Sequence, residues 1–197
     1  MSPPTDLPSR LGPPAATPRP RAPRNLVLVG LSGSGKTTVG RLVAGRLGWR
    51  FVDTDDEIRQ RSGQTVQEVF RDRGEPYFRA IEAEVVQEAC ARVGHTIATG
   101  GGAVLDASNR VRMLSGNVVV FLESPPEILA ERLATSIRRE PRPLLAGGED
   151  RSRLVARLRQ LADERSEHYR CAHHVVQTET HTPGEVADVV ARLVQKQ

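Results

Sequence analysis

Short, continuous apolar runs alternate along the chain with longer segments in which apolar residues recur every three or four positions. The short runs predict β-strands near residues 25–29, 50–53, 96–99, 118–122 and 174–177. The longer segments predict α-helices near residues 36–47, 54–61, 65–73, 76–92, 108–114, 126–136, 151–169 and 184–195. Apolar strands that alternate with helices are typical of an α/β domain whose parallel sheet is covered on both faces. Ligands bind such sheets at the carboxyl ends of the strands, so chemistry is expected after the first three strands.

The first predicted strand runs directly into a phosphate-binding motif. Residues Gly30-Leu-Ser-Gly-Ser-Gly-Lys-Thr-Thr38 match the pattern G-x-x-x-x-G-K-[ST] between a strand and a helix. The glycines allow backbone N–H groups to turn toward an anion, which then lies at the positive end of the helix. A glycine-rich turn that matches by chance is the alternative, and the flanking strand and helix disfavour it. We predict nucleotide binding by Gly33, Ser34, Gly35, Lys36, Thr37 and Thr38.

Two residues of this motif have specific expected roles. Lys36 is expected to reach the β- and γ-phosphates of a nucleotide, and the Thr37 hydroxyl is expected to ligate Mg²⁺. Apart from Lys196, Lys36 is the only lysine in a chain that otherwise uses arginine. A lysine at this position therefore fits the need for a compact ammonium group.

Carboxylates follow the second predicted strand, at Asp53 and Asp55. A period of two places both on the same side of the strand, toward the phosphate loop. Asp53 is then expected to join the Mg²⁺ shell through water, and Asp55 to accept a proton from a substrate hydroxyl. The alternative is that Asp55 and Asp56 cap the helix that follows.

Three glycines follow the third predicted strand, at Gly100, Gly101 and Gly102. Because glycines are poor strand residues, either another segment of the chain or a small ligand is expected to approach this backbone closely, and the ligand is favoured. On a predicted helix, Arg79 and Glu82 lie three residues apart on one face. They form either an ordinary surface pair or a guanidinium fork for a substrate carboxylate, held by the glutamate.

Residues 137–150 are rich in arginine, proline and glycine and lie between two predicted helices. This composition fits either a mobile surface loop or a lid that closes over an active site. Both interpretations stay open on the sequence.

The basic charge of the chain is concentrated in its first 24 residues. The formal net charge is +4, and four arginines against one aspartate in residues 1–24 supply +3 of it. These residues also hold eight of the 14 prolines, which predicts a disordered tail before one ordered domain over residues 25–197. Because the rest of the chain is nearly neutral and the whole is only 4% aromatic, no nucleic-acid partner is expected.

The apolar residues and the cysteines indicate where the protein works. No stretch approaches the roughly 20 apolar residues that cross a membrane, so no membrane partner is expected. Two cysteines, Cys90 and Cys171, give neither a disulfide framework nor a metal-binding pair. Together with the lack of an apolar signal segment, they predict a reducing, cytoplasmic location. Nothing in the sequence indicates more than a monomer.

Five motifs follow one another along the chain, and their order is more specific than any one of them. They are Gly30–Thr38, Asp53-Thr-Asp55, Phe78-Arg79-x-x-Glu82, Gly100-Gly-Gly102 and Arg142-Pro-Leu-Leu145. The ordered set resembles the shikimate kinase family over about residues 25–195. The resemblance implies a three-layer P-loop kinase fold, with a five-stranded parallel sheet in the order 2-3-1-4-5 and a mobile lid over about residues 137–150. It also implies transfer of the γ-phosphoryl group of ATP, with Mg²⁺, to the 3-hydroxyl of shikimate.

The resemblance implies roles for individual residues of the acceptor site. In the family, the second aspartate of the D-x-D pair contacts the shikimate hydroxyls, and this residue is Asp55 here. Two arginines bind the shikimate carboxylate, which assigns that role to Arg79 and Arg165. Gly101, between the other two glycines, lines the same pocket.

The resemblance also implies how the nucleotide is held. Arg132 takes the position that packs on adenine, with Arg138 and Arg139 as alternatives, and Thr182-Pro183 covers the other side of the base. The lid arginine is Arg142, which is expected to neutralise charge on the transferred group.

Two other functions compete with this one. Gluconate kinase shares the phosphate loop and the fold, but the paired arginines, the D-T-D sequence and the three glycines favour shikimate. A non-catalytic ligand-sensing module on a kinase-like fold is the second alternative, since a fold does not determine a function. Such a module would be expected to lack Lys36 or Asp55, and both are present.

Overall fold

The computed structural model describes residues 23–136 and 151–196. Five parallel strands form its sheet: β1 Asn25–Val29, β2 Arg50–Asp53, β3 His95–Ala98, β4 Val118–Glu123 and β5 His174–Gln177. Their order is β2-β3-β1-β4-β5, which is the order that the resemblance implied. The predicted fold class is therefore confirmed, and the carboxyl end of the central strand β1 opens directly into the phosphate motif.

The helices also lie close to their predicted positions. They are α1 Lys36–Leu47, α2 Thr54–Ser62, α3 Val66–Ala91, α4 Ala107–Leu114, α5 Pro126–Ser136, α6 Arg151–Tyr169 and α7 Pro183–Gln195. A short 3₁₀ helix over Ala103–Leu105 was not predicted. Within α3, Gly74 has φ 78° and ψ 168°, so it interrupts the helix where the sequence predicts a gap between two helices.

Alternate residues of β1 face opposite sides of the sheet and belong to two separate cores. Leu26 and Leu28 pack with α1 and α7, whereas Val27 and Val29 pack with residues of α3, α4, α5 and α6. All five residues of β1 are 0% exposed, as expected for the central strand of a three-layer fold. This burial fixes the position of the loop that leaves the strand.

The predicted tail and lid fall largely outside the described residues. Residues 1–22 and 137–150 are not described, so the disordered tail and the lid stay predictions. Arg24, at the end of the predicted tail, donates its backbone N–H to the Gly116 carbonyl oxygen at 2.8 Å. None of the helices in residues 23–136 and 151–196 is both long and apolar enough to span a bilayer.

Two glycines of α1 give a matched test of how this helix packs. A Cβ at Gly40 would lie 2.6 Å from Phe51 Cε2, whereas a Cβ at Gly45 would have no neighbour within 4 Å. Gly45→Ala should raise the free energy of unfolding by about 1 kcal/mol, because alanine is the better helix former. Gly40→Ala should lower it by about 1–3 kcal/mol, since the Phe51 ring must move. Denaturant unfolding measures both changes, and a destabilised Gly45→Ala variant would contradict this packing.

Candidate active site

The loop between β1 and α1 has the backbone shape of a phosphate cradle. Gly30, Gly33 and Gly35 have φ angles of 144°, 86° and 93°, which residues with a side chain rarely adopt. A Cβ at Gly30 would also lie 2.5 Å from the Leu122 carbonyl oxygen. The loop therefore requires glycine at these positions. It leads into the N-terminus of α1, where the first N–H groups of any helix lack a partner within the helix.

Lys36 and Ser34 place a buried charge and a buried hydroxyl in this loop. The Lys36 ammonium donates to the carbonyl oxygens of Gly30 at 2.7 Å and Leu31 at 2.8 Å. The Ser34 hydroxyl has no hydrogen-bond partner among the described residues. A buried ammonium and a buried hydroxyl that no described residue pairs with, both beside a helix N-terminus, suit a phosphate group.

Thr37 and Asp53 bring oxygen atoms together next to the loop. The Thr37 hydroxyl donates to Asp53 Oδ2 at 2.8 Å, which joins the start of α1 to the end of β2. The other carboxylate oxygen of Asp53 accepts the Asp55 N–H at 3.1 Å. Each oxygen of the Asp53 carboxylate therefore accepts one hydrogen bond, and the two bonds fix its orientation.

The explanation that a period of two relates Asp53 to Asp55 was wrong. The chain leaves the extended conformation directly after Asp53, because α2 begins at Thr54 with Asp53 as its N-cap. Asp55 lies in the first turn of α2 and still lines the same cleft as Asp53. The helix cap is thus Asp53, and not Asp55 or Asp56 as in the alternative interpretation.

Asp55 and Glu82 both approach the backbone of Gly100. A Cβ at Gly100 would lie 2.8 Å from Glu82 Oε1 and 2.9 Å from Asp55 Oδ1. The Gly100 N–H donates to the Thr54 hydroxyl at 2.9 Å. Two side chains of the protein itself therefore explain the glycine at this position. The sequence favoured a ligand over such a close approach by another segment of the chain.

Arg79 is held by two carboxylates of its own helix. Its Nη1 donates to Glu82 Oε2 at 2.6 Å, and its Nη2 donates to Glu75 Oε1 at 3.0 Å. The guanidinium lies against Gly102, where a Cβ would be 2.7 Å from Nη1. Burial acts to lower the pKa of Arg79, but the charges and hydrogen bonds of Glu82 and Glu75 raise it overall. Arg79 is therefore a fixed cation on the wall of the cleft.

Glu82, which holds Arg79 in place, is only 2% exposed. Burial raises the pKa of its carboxyl; the charge of Asp55 adds to this rise, and Arg79 acts against it. A buried carboxylate that loses its cationic partner is strongly destabilising. Glu82 and Arg79 therefore depend on each other.

Arg165 reaches the same part of the cleft from α6. It is 5% exposed, and its Nη1 would lie 3.5 Å from a Cβ at Gly101. Arg79 and Arg165 thus bring two guanidinium groups against neighbouring glycines. Guanidinium groups bind carboxylates through paired hydrogen bonds, so this arrangement can hold an acidic ligand.

At another part of the cleft, Thr178 fixes Arg132. Arg132 donates from Nη1 to Thr178 Oγ1 at 2.9 Å and from Nη2 to the Thr178 carbonyl oxygen at 2.5 Å. Pro183 begins α7 and lines the cleft, whereas Thr182 caps α7 together with Glu185. Of the predicted pair Thr182-Pro183, only the proline is therefore part of the lining.

These groups line one open cleft of about 840 Å³. Its lining includes the following predicted residues: Gly33, Ser34, Gly35, Lys36, Thr37, Thr38, Asp53, Asp55, Arg79, Glu82, Gly100, Gly101, Gly102, Arg132, Arg165 and Pro183. Arg142 and the alternatives Arg138 and Arg139 lie outside the described residues. One cleft thus contains both the glycine loop before α1 and the guanidinium groups of Arg79 and Arg165.

A family model described as shikimate kinase matches residues 32–195. The chain belongs to the shikimate kinase family. The shikimate kinase of Symbiobacterium thermophilum is 45% identical over 173 residues, which cover 87% of this chain and 95% of that relative. A solved structure of shikimate kinase from Acinetobacter baumannii in complex with shikimate has a TM-score of 0.80 and 36% identity. The match covers 88% of this chain and 93% of that one.

The gluconate kinase alternative has much weaker support. A solved gluconokinase from Sinorhizobium meliloti is 21% identical, with a TM-score of 0.53, and the match covers 89% of this chain and 94% of that one. A likeness at this identity shows a shared fold and says nothing about the acceptor. Sequence and structure therefore both favour the shikimate kinase family.

Sequence reasoning missed two residues that shape this cleft. Thr178 holds Arg132, and Tyr169 donates its hydroxyl to the Gly101 carbonyl oxygen at 2.6 Å. Tyr169 had a usable signal, since it lies four residues after Arg165 and so shares its helix face. Thr178 had none, because its contact with Arg132 joins residues 46 positions apart.

Proposed function

We propose that the protein transfers the γ-phosphoryl group of ATP to the 3-hydroxyl group of shikimate. One observation carries the proposal: the phosphate loop and the paired cations Arg79 and Arg165 line a single cleft. The loop suits a nucleotide, and the two guanidinium groups suit an acceptor with a carboxylate. Membership of the shikimate kinase family supports the same reaction, and so does the relative that was solved in complex with shikimate.

The nucleotide is proposed to bind along the phosphate loop and the start of α1. Lys36 and the N–H groups of the loop hold the β- and γ-phosphates. The Ser34 hydroxyl, which has no hydrogen-bond partner in the described part of the chain, fits a phosphate oxygen. Arg132 packs on adenine, with Pro183 on the other side. The two hydrogen bonds to Thr178 support this role, because they fix the plane of the Arg132 guanidinium before the nucleotide arrives.

Thr37 and Asp53 are the residues proposed to hold Mg²⁺. The fit is good, because Mg²⁺ prefers oxygen ligands and the Thr37 hydroxyl and Asp53 carboxylate oxygens lie 2.8 Å apart. Mg²⁺ also keeps several waters when bound, which agrees with a contribution from Asp53 through water. The ion supplies charge neutralisation on the transferring phosphate groups.

Shikimate is proposed to lie over Gly100–Gly102. Arg79 and Arg165 bind its carboxylate, which makes the site selective for an anionic ring. Asp55 orients the 3-hydroxyl group and accepts its proton as the oxygen–phosphorus bond forms. Glu82 keeps Arg79 in position through the 2.6 Å hydrogen bond.

Arg142 and residues 137–150 belong to the proposal as a lid. Arg142 neutralises charge that develops on the transferred group, and lid closure excludes water, which otherwise competes as the acceptor. This part rests on the sequence and the family resemblance, because these residues lie outside the described ranges.

The proposal includes a monomeric enzyme that works on small molecules in the cytoplasm. The two cysteines, Cys90 and Cys171, are free thiols, which agrees with a reducing compartment. Burial raises the pKa of Cys90 to about 11, so this thiol is unreactive at neutral pH.

A turnover assay with three acceptors tests the proposed function. Protein supplied with Mg²⁺ and ATP should release ADP rapidly in the presence of shikimate, and far more slowly with gluconate or with water alone. Faster turnover of gluconate would contradict the proposal. So would a rate of ADP release that shikimate does not change.

A further inference from the structure

Tyr169 is the last residue of α6 and lies next to Gly101 of the cleft. None of the roles described so far uses its hydroxyl. The side chain is 1% exposed, and its ring stacks on Phe121 of β4 with the centroids 4.7 Å apart. The hydroxyl donates to the Gly101 carbonyl oxygen at 2.6 Å, which joins residues 68 positions apart in the chain. Tyr169 thus ties the glycine loop after β3 to the core of the domain.

The hydroxyl is a permanent donor in this bond. Burial raises the pKa of Tyr169 to about 12, although the neighbouring Arg165 guanidinium acts to lower it. At any pH near neutrality the hydroxyl therefore keeps its proton, and the Gly101 carbonyl oxygen keeps its partner.

Gly101 lies where the two halves of the cleft meet. A Cβ at this position would lie 3.5 Å from the Gly30 carbonyl oxygen and 3.6 Å from the Ser32 N–H nitrogen, both in the phosphate loop. It would lie equally close, at 3.5 Å, to Arg165 Nη1. The Gly101 peptide thus lies between the phosphate loop and the Arg165 guanidinium. A shift of this peptide changes the spacing between the two.

Tyr169 also interacts with Arg165. The Arg165 Nε is buried without a hydrogen-bond partner among the described residues, so none of them fixes that edge of the guanidinium through a hydrogen bond. Tyr169 lies one helical turn later on the same face and interacts with Arg165. The Tyr169 side chain therefore interacts with both the Gly101 peptide and the Arg165 guanidinium.

We propose that Tyr169 is a positioning residue that holds Gly101 and Arg165 at a set distance from the phosphate loop, and so controls acceptor binding. This inference rests on the proposed function, because the acceptor is shikimate. A merely structural tyrosine would support the fold and affect both substrates alike. A positioning tyrosine affects the acceptor selectively, since the phosphate loop is held by its own glycines and by β1.

Tyr169→Phe tests the proposal, because it keeps the stacked ring and removes only the hydroxyl. Its KM for shikimate should rise about tenfold, the effect of losing one buried hydrogen bond, while its KM for ATP stays within about twofold. Tyr77→Phe is the matched control: the chain has two tyrosines, and Tyr77 is an exposed one beside Arg73. This control should leave both KM values unchanged.

Phe121→Leu is a second variant that alters no residue of the cleft. It removes the ring on which Tyr169 stacks and loosens the hydroxyl without deleting it. A smaller but still selective rise in the KM for shikimate is expected, which keeps the proposal testable if Tyr169→Phe does not fold.

Two results would overturn the proposal: KM values for both substrates that rise together, or no change in either variant. Turnover of shikimate by the unaltered protein separates this failure from failure of the proposed function. If the unaltered protein does not phosphorylate shikimate, the proposed function itself is wrong.

Discussion

Asp55→Asn should lower kcat for shikimate phosphorylation by about 10²- to 10⁴-fold, the range that a positioned general base contributes. Asparagine keeps the size and shape of the side chain beside Gly100, where Asp55 Oδ1 lies 2.9 Å from the position of a Cβ. It cannot accept the hydroxyl proton. Binding of ATP should survive, because Lys36 and the phosphate loop are untouched. Steady-state kinetics and nucleotide titration measure the two effects separately.

Asp56→Asn is the matched control for this prediction. It removes the same charge from the same turn of α2, but Asp56 is engaged with Arg59 at 2.8 Å. Its kcat should therefore stay within about threefold of the original value, since exposed ion pairs contribute little. An unchanged kcat in Asp55→Asn, or an equal loss of kcat in both variants, would contradict the role of Asp55 as the general base.

Arg79→Ala should raise the KM for shikimate by about tenfold to a hundredfold, with a much smaller effect on the KM for ATP. The expected size is that of a charge-assisted hydrogen bond to the shikimate carboxylate. Arg73→Ala is the control on the same helix, because Arg73 is exposed and lies over the Tyr77 ring. Its two KM values should not change.

The loss of Arg79 also affects stability, so a second substitution is needed. Arg79→Ala leaves Glu82 buried without its cation, which lowers the free energy of unfolding. Arg79→Lys keeps a positive charge beside Glu82 but lacks the planar fork that binds a carboxylate at two points. It should therefore raise the KM for shikimate with a smaller loss of stability. Equal changes in the two KM values would show that Arg79 does not contact the acceptor.

Local patterns were enough to predict the sheet and the phosphate loop. The apolar run at β1 corresponds to a strand with every residue buried, and the positive φ angles of Gly30, Gly33 and Gly35 explain why the motif needs glycine. The strand order came from the family resemblance, since periodicity does not determine which strands are neighbours. Local physics and a specific ordered set of motifs together gave the fold.

The parts that failed depended on competing local signals or on distant contacts. An aspartate is both a good strand-end carboxylate and a good helix cap, and Asp53 is both: it ends β2 and caps α2, so Asp55 lies in a helix, where a period of two does not apply. The bond from Tyr169 to Gly101 exists only because α6 crosses the loop after β3. The spacing of Tyr169 from Arg165 indicates a shared helix face, but no pattern within either segment indicates the bond to Gly101.

The most direct test of the account is the identity of the phosphorylated product. ³¹P and ¹H NMR of a reaction with Mg²⁺, ATP and shikimate should show a phosphate ester whose phosphorus couples to the proton on carbon 3 of the ring. Phosphorus on another hydroxyl would contradict the placement of Asp55 against the acceptor. Free phosphate as the main product would contradict the transfer itself.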